Sequence, residues 1–351
     1  MDNFLELNST ELEKNFDGMK IPPYRIGQVR RWIFAQKITE FSQMTNLPKN
    51  VRSSLAERFG TILRGTELTH LQSDDSSQKL LIELEDGERI ECVLLQNDRH
   101  HRTACISTQV GCAMRCTFCA SGLNGYVRNL TRSEILEQLL RLNALLPECE
   151  RLTHIVVMGI GEPMLNLDAL LSALDVATSA EGLNMSVRRV TISTVGIPAG
   201  IRKLGDAVVQ GRKGYKLAVS LHAPNDELRS QIIPHNRHSG IVAVLSATDE
   251  YFQKTGRRVT FEYTLIEGLN DQLEHVVQLT ELLRDRTAIV NVIPLNPVPE
   301  LKYRSPSSRA VQRFIEQLQH RGIQVKVRFR KGDKIFAACG QLRRSRGEEE
   351  A

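Results

Sequence analysis

Between residues 103 and 329 the chain switches hydrophobic period again and again, and this alternation limits the possible fold more than any other feature of the 351 residues. Short runs rich in β-branched residues read as strands: Thr103 to Ser107, Ile155 to Met158, Val190 to Thr194, Leu217 to Leu221, Val259 to Leu265 and Ile289 to Ile293. Helical patterns fill most of the intervals, one opening at Thr131 with Glu134 as its capping partner and another running from Leu273 to Leu283. Strand and helix in regular turn predict an α/β fold, in which six βα units build a parallel sheet curved towards a barrel. A seventh short strand is predicted at Ile323 to Phe329, before a tail that holds Cys339 and ends in Arg343, Arg344, Arg346 and three glutamates.

Residues 1–66 read instead as a small helical module. Thr10 and Glu13 make a capping-box pair there, and Val51, Leu55 and Phe59 share one helix face. Arg25, Arg30, Arg31 and Lys37 surround Trp32, which reads either as an RNA-facing aromatic platform or as a core tryptophan on a solvated helix. Asp86-Gly87, between apolar runs at Leu80 to Leu84 and Ile90 to Leu95, predicts a hairpin within residues 67–97 that joins this module to a main domain over 98–334, with 335–351 as the tail.

A chain that is 41% hydrophobic can bury a full core, and a net charge of +5 permits an RNA partner without demanding one. Arg188, Arg189, Arg212, Lys213, Arg257 and Arg258 are the surface candidates for phosphate contacts. The opening MDNFLELNSTELEKNF lacks the basic end and apolar stretch of a secretory signal, and no apolar run is long enough to cross a bilayer. Seven cysteines, an odd number, then point to a reducing cytoplasm where thiols act as ligands or reagents.

Cys112, Cys116 and Cys119 form C-x3-C-x2-C in a glycine-bounded loop directly after the first barrel strand. Three thiolates can hold three irons of a 4Fe-4S cluster and leave the fourth open to an outside ligand; a structural zinc site with a distant histidine is the alternative. Cys92 and Cys149 read as packing residues, while Cys105 and Cys339 stand in positions where a reactive thiol is conceivable. Chemistry in parallel barrels gathers at the carboxyl ends of the strands, and polar residues cluster there: Gly161 and Glu162 after the second, Ser193 on the third, Ser220-Leu221-His222 on the fourth, Glu262 on the fifth, Asn296 after the sixth. Glu91, on a hairpin strand beside Cys92, reads by pattern as a surface residue.

Beyond these single features, a set of motifs resembles the dual-specificity RNA methyltransferases of the RlmN/Cfr group within the radical S-adenosylmethionine (SAM) superfamily. The likeness covers nearly the whole chain: Tyr24-Arg25-x-x-Gln28 with Trp32, Gln109-Val110-Gly111-Cys112, Arg128-Asn129-Leu130-Thr131, Gly161-Glu162-Pro163, Ser220-Leu221-His222-Ala223, Asn270-Asp271, Ile293-Pro294-x-Asn296-Pro297 and Ala338-Cys339-Gly340-Gln341-Leu342.

The resemblance implies one 4Fe-4S cluster on Cys112, Cys116 and Cys119, two SAM molecules per turnover and an external one-electron donor. It implies that Gly161, Glu162, Ser193, Ser220, Leu221, His222 and Asn296 contact SAM, that Cys339 accepts a methyl group, and that Cys105 releases the tethered RNA through a transient disulfide with Cys339 while Glu91 takes the ring proton. The implied substrates are an adenosine of 23S rRNA and adenosine 37 of tRNAs, modified by a monomer with no membrane attachment. Pro163 favours the carbon-2 branch over the resistance-conferring carbon-8 branch, whose known example has a non-proline residue there. Lys334 departs from the family by placing a positive charge where an acid is usual. A non-catalytic RNA-binding protein with a zinc-stabilised loop is the rival from another class, in which Cys105 and Cys339 would be idle.

Overall fold

The computed structural model describes residues 1–97, 100–211, 213–328 and 331–343; Arg212, Phe329, Arg344, Arg346 and the terminal glutamates of the sequence reading lie outside them. The chain opens with helices α1 (Ser9–Gly18), α2 (Tyr24–Arg30), which runs on into a π-helical turn over Arg31–Ala35, and α3 (Lys49–Phe59). The cap of α1 is Asn8 with Glu11, not Thr10 with Glu13: Asn8 is the last extended residue, so its short side chain can reach back to the Glu11 N–H, whereas Thr10 already lies within the first turn. Val51, Leu55 and Phe59 are buried on one face of α3 as expected, and Phe59 packs edge-on to Phe4 with ring centroids 5.5 Å apart.

Strands β1 (Thr66–Gln72), β2 (Gln78–Glu83) and β3 (Arg89–Gln96) form an antiparallel meander that continues into β4 (Arg102–Cys105). The Asp86-Gly87 turn forms with Gly87 at φ +80°, and the hairpin it closes is part of the main sheet. β1 escapes the sequence pattern because every one of its residues is exposed, so no burial alternation marks it. β5 (Gln109–Gly111) and β6 (Tyr126–Asn129) pair with each other; β7 (His154–Val157), β8 (Val190–Thr194), β9 (Lys216–Ser220), β10 (Val259–Leu265), β11 (Ala288–Pro294) and β12 (Val325–Val327) extend from β4 as parallel strands. The last strand is shorter than its expected span. Its residues are only half-buried or exposed at the sheet edge.

Helices α4 (Arg132–Ala144), α5 (Leu167–Thr178), α6 (Pro198–Gln210), α7 (Asp226–Ile232), α8 (Gly240–Thr255), α9 (Leu273–Leu283) and α10 (Ser308–His320) fill the crossovers. Thr131 and Glu134 form the expected capping box at α4. Residues from the ends of β7, β8, β9, β10 and β11 line a single cavity, so the sheet curves round it as an open partial barrel with β1 and β12 as its free edges.

One apolar core runs from Phe4 and Phe59 through Leu80 and Ile90 to the barrel strands, and polar ties support it: Ser133 N–H donates to the Glu6 carboxylate at 2.8 Å and Lys37 Nζ to the Leu146 and Pro147 carbonyls at 2.8 Å. Arg30 pairs with Glu181 at 2.7 Å. Trp32 packs against the core and donates Nε1–H to Asn46, so of its two readings the structure favours the core tryptophan. Cys149 is exposed rather than packed, because Pro147 ends the apolar stretch and turns the chain outward before it. Among the described residues no helix is long and apolar enough to cross a membrane.

Candidate active site

Gly111 sets the path of the cysteine loop. It stands at φ +73°, and a β-carbon there would meet the Gly125 carbonyl oxygen at 1.8 Å, so only glycine lets the chain fold back on β6. Cys112 N–H then donates to Gly125 O at 3.0 Å, Thr117 N–H to Ile232 O at 2.9 Å and Ala120 N–H to Gly340 O at 2.8 Å, which ties the loop to α7 and to the tail. Cys112, Cys116 and Cys119 line one cavity of about 160 Å³. Burial pushes the Cys112 thiol up to about 12, against the opposing effect of the Met114 N–H, and raises Cys116 and Cys119 as well.

Among the described residues no three His, Cys, Asp or Glu side chains draw together as a single metal ion requires. A four-iron cluster instead spreads three thiolates over separate corners and leaves one iron open. Three thiols on one cavity wall, with backbone N–H groups directed at Cys112 and Cys119, fit that arrangement. Sequence reading missed Arg229, whose buried guanidinium donates to the Leu221 (3.0 Å), Ser220 (2.9 Å) and Val195 carbonyls and to Asn236, and lies near Cys116. Its hydrogen-bond acceptors are all neutral and Asp226 acts on it only from beyond Asn236, so a negatively charged cluster beside it would add a nearer counter-charge.

The rest of the cavity is made by strand ends. A β-carbon at Gly159 would meet Ser107 Oγ at 2.6 Å and one at Gly161 would meet Gln109 Cβ at 2.6 Å, so both glycines let the chain after β7 lie against the cysteine-loop approach. Glu162 follows, buried, with its carboxylate accepting from Thr194 Oγ1 (2.7 Å), Val195 N–H (2.7 Å) and Met164 N–H (3.0 Å); burial still raises its pKa. Pro163 begins a 3-10 turn and lines the cavity, as do Ser193, Ser220, Glu262 and Asn296.

His222 sits at φ +56° with Nδ1 accepting the Thr264 N–H at 2.9 Å, which leaves its proton on Nε2. Burial, then Arg229, brings its pKa down to about 3, so the ring is neutral. Asn270 locks this turn by donating to the carbonyls of His222 (2.8 Å) and Thr264 (2.7 Å), which gives the Asn270-Asp271 motif a structural reason. Leu221 is the exception among the expected SAM residues: its side chain is in the core and its carbonyl is taken by Arg229. Asn296 donates to Cys339 O at 3.0 Å, while its buried Oδ1 has no partner. An unused acceptor on the wall of a cavity that also carries a buried carboxylate and two serines suits the ammonium and hydroxyl groups of SAM.

Cys339 lines this cavity and also a second, adjoining one of about 150 Å³, which it shares with Cys105 and Arg328. Burial and then Cys339 push the Cys105 thiol up to about 12, and Arg328 acts against the shift. Arg328, another residue that sequence reading missed, is held in its charged form by Cys339 first and by Glu262 and Cys105 less. All seven cysteines are free thiols, so no Cys105–Cys339 disulfide is present.

The tail is fastened on both sides of Cys339: before it Gly332 N–H donates to Asp75 Oδ2 at 2.7 Å, and after it Gln341 Nε2 donates to Pro297 O at 2.9 Å, Ser121 Oγ to Leu342 O at 2.7 Å and Arg343 N–H to Glu91 Oε2 at 2.8 Å. Glu91 is therefore not a surface residue. It is 4% exposed, because the tail covers the sheet face on which a free hairpin would have left it. Lys334 pairs with Asp74 at 2.6 Å, so its departure in charge finds an anion on the β1–β2 turn.

The fold and this thiol-lined cavity place the chain among radical SAM proteins: residues 106–280 match the Radical SAM superfamily. Residues 2–60 match the family described as ribosomal RNA large subunit methyltransferase N-terminal domain. The chain is 55% identical over 329 residues to the probable dual-specificity RNA methyltransferase RlmN of Rhodopirellula baltica, covering 94% of this chain and 87% of that one. It is 40% identical to the probable RlmN of Dictyoglomus thermophilum, covering 99% of each chain. A crystal structure of a radical SAM methyltransferase from Sphaerobacter thermophilus superposes with a TM-score of 0.92 at 40% identity, covering 97% of this chain and 99% of that one. The chain belongs to the RlmN family of dual-specificity RNA methyltransferases.

Proposed function

We propose that this enzyme methylates carbon 2 of an adenosine in 23S rRNA and of adenosine 37 in tRNAs, by way of a methyl group carried on Cys339. The observation that carries this reading is the position of Cys339, which lines both the cavity with the three cluster cysteines and the cavity with Cys105. A thiol at that junction can take a methyl group from SAM on one side and meet a resolving thiol on the other.

Cys112, Cys116 and Cys119 would hold the cluster, with Glu162, Ser193, Ser220, His222 and Asn296 around SAM. Together the cluster and SAM supply a radical able to remove hydrogen from the methyl group on Cys339, with the electron coming from an external one-electron donor. The adenine amidine carbon is too electron-poor to attack a sulfonium, yet it accepts a carbon radical. The adduct radical would return its unpaired electron to the oxidised cluster, and Glu91 would take the ring proton, so that the ring regains a closed shell. Cys105 bonds to the Cys339 sulfur as a disulfide while the sulfur–carbon bond breaks; the bond pair goes to the methylene carbon, which a proton completes to methyl.

The test is anaerobic. The protein is reconstituted with iron and sulfide, given dithionite, SAM and a 23S rRNA fragment, and the nucleosides are analysed by mass spectrometry. Methyladenosine matching the carbon-2 standard, lost in Cys339→Ala, supports the reading. A carbon-8 product would assign the other branch, and a loaded cluster with no methylated adenosine would refute the substrate.

A further inference from the structure

The sheet face beneath the tail carries a buried cation that the chemistry described so far leaves unused. Strand register places Lys79 of β2 opposite Val93 of β3, and Val93 opposite Cys105 of β4, so the three share one face. Glu91, two residues from Val93, lies on that face too. Leu80 and Ile82 of β2 point to the other face and are buried in the main core, so the site face of this strand holds a lysine at a position of full burial. Lys79 is 6% exposed, and its Nζ lies 2.7 Å from Glu91 Oε1 and 3.5 Å from the Phe336 carbonyl. The other carboxylate oxygen of Glu91 accepts the Arg343 N–H. Lys79 and Glu91 thus grip the tail on both sides of Cys339, at Phe336 and at Arg343.

A lone carboxylate is driven to give up its charge when it is buried, and a partner cation removes that pressure. A proton acceptor must arrive charged and with an oxygen correctly placed. We propose that Lys79 is a positioning residue for the proton-removal step: it keeps the Glu91 carboxylate ionised and aligned with the Cys339 segment while the ring proton moves to a Glu91 oxygen and the C–H electron pair returns to the ring. This rests on the reading of Glu91 as the proton acceptor. Breaking a buried ion pair also destabilises a fold, so loss of activity alone would decide nothing.

The experiment counts the RNA–protein adduct at Cys339 on denaturing gels, in single-turnover reactions of the cluster-loaded enzyme, per chain whose Cys339 was methylated; that ratio cancels any loss of folded protein. Lys79→Met is expected to resolve the adduct at least about tenfold more slowly than the unsubstituted enzyme, and Lys79→Arg, which keeps a cation, to recover most of the rate. Normal resolution in Lys79→Met overturns the inference. So does an unchanged ratio when methylation and adduct fall together, or a slow step that Lys79→Arg leaves unrelieved. Glu91→Gln, run alongside, separates the two readings: if it resolves the adduct normally, Glu91 is not the acceptor, and if it stalls while Lys79→Met does not, only the role of Lys79 fails.

Discussion

His222 shows how burial, reinforced by the nearby Arg229 cation, sets the charge of a site residue. Its folded pKa of about 3 lies far below that of an imidazole in an unfolded chain, about 6.5. The unfolded chain therefore takes up a proton below about pH 6.5 that the folded one refuses, and the stability due to the neutral ring, fully present above that pH, falls by about 1.4 kcal/mol per unit on acidification towards pH 3. Urea unfolding at pH 7 and pH 5.5 tests this against His222→Asn, since asparagine tolerates the positive φ. The unsubstituted protein is expected to lose about 1.3 kcal/mol more than the variant between those pH values, and equal losses would contradict the assignment. At this scale the residues legible in the sequence were those whose chemistry dictates type and spacing, above all Cys112, Cys116 and Cys119. Arg229, Arg328 and Lys79 were not legible, because each acts through a place that only the folded sheet and tail create.

Among the elements, the cysteine loop depends on a single backbone conformation. Ala at Gly111 would cost about 1–2 kcal/mol for its positive φ and would also collide with the Gly125 carbonyl. Gly125 has a similar φ of +68°, but a β-carbon there meets nothing within 4 Å. Gly111→Ala is therefore expected to bind much less iron and sulfide per chain on reconstitution, while Gly125→Ala stays near the unsubstituted level; equal iron in the two variants would show that the loop path does not govern cluster assembly. The same contrast between local and non-local causes explains which elements could be read from sequence. β8 and β10 coincide with their expected spans, because β-branched runs buried in a parallel sheet declare themselves. β1 has no buried face to impose a period, and the α1 cap was misplaced by two residues because Asn8 and Thr10 are both competent caps and only the chain's turn at Asn8 decides between them.

Over the whole molecule, the fold brings distant parts of the chain to one place. The antiparallel strands ahead of the barrel supply Lys79 and Glu91, the first barrel strand supplies Cys105 and its following loop the cluster cysteines, and the tail returns across all of them with Cys339. The expected hairpin thus forms a wall of the site, and the burial of Glu91 follows from that placement. The central claim, that the methyl group passes through Cys339 as a hydrogen-abstracted carbon, is tested most directly by isotope. Cys339 is first loaded with a fully deuterated methyl group, excess labelled SAM is removed, and one turnover is run with unlabelled SAM and RNA. The account predicts a product methyl that carries two deuterium atoms and one hydrogen. A product methyl with all three deuterium atoms, or with none, would contradict it.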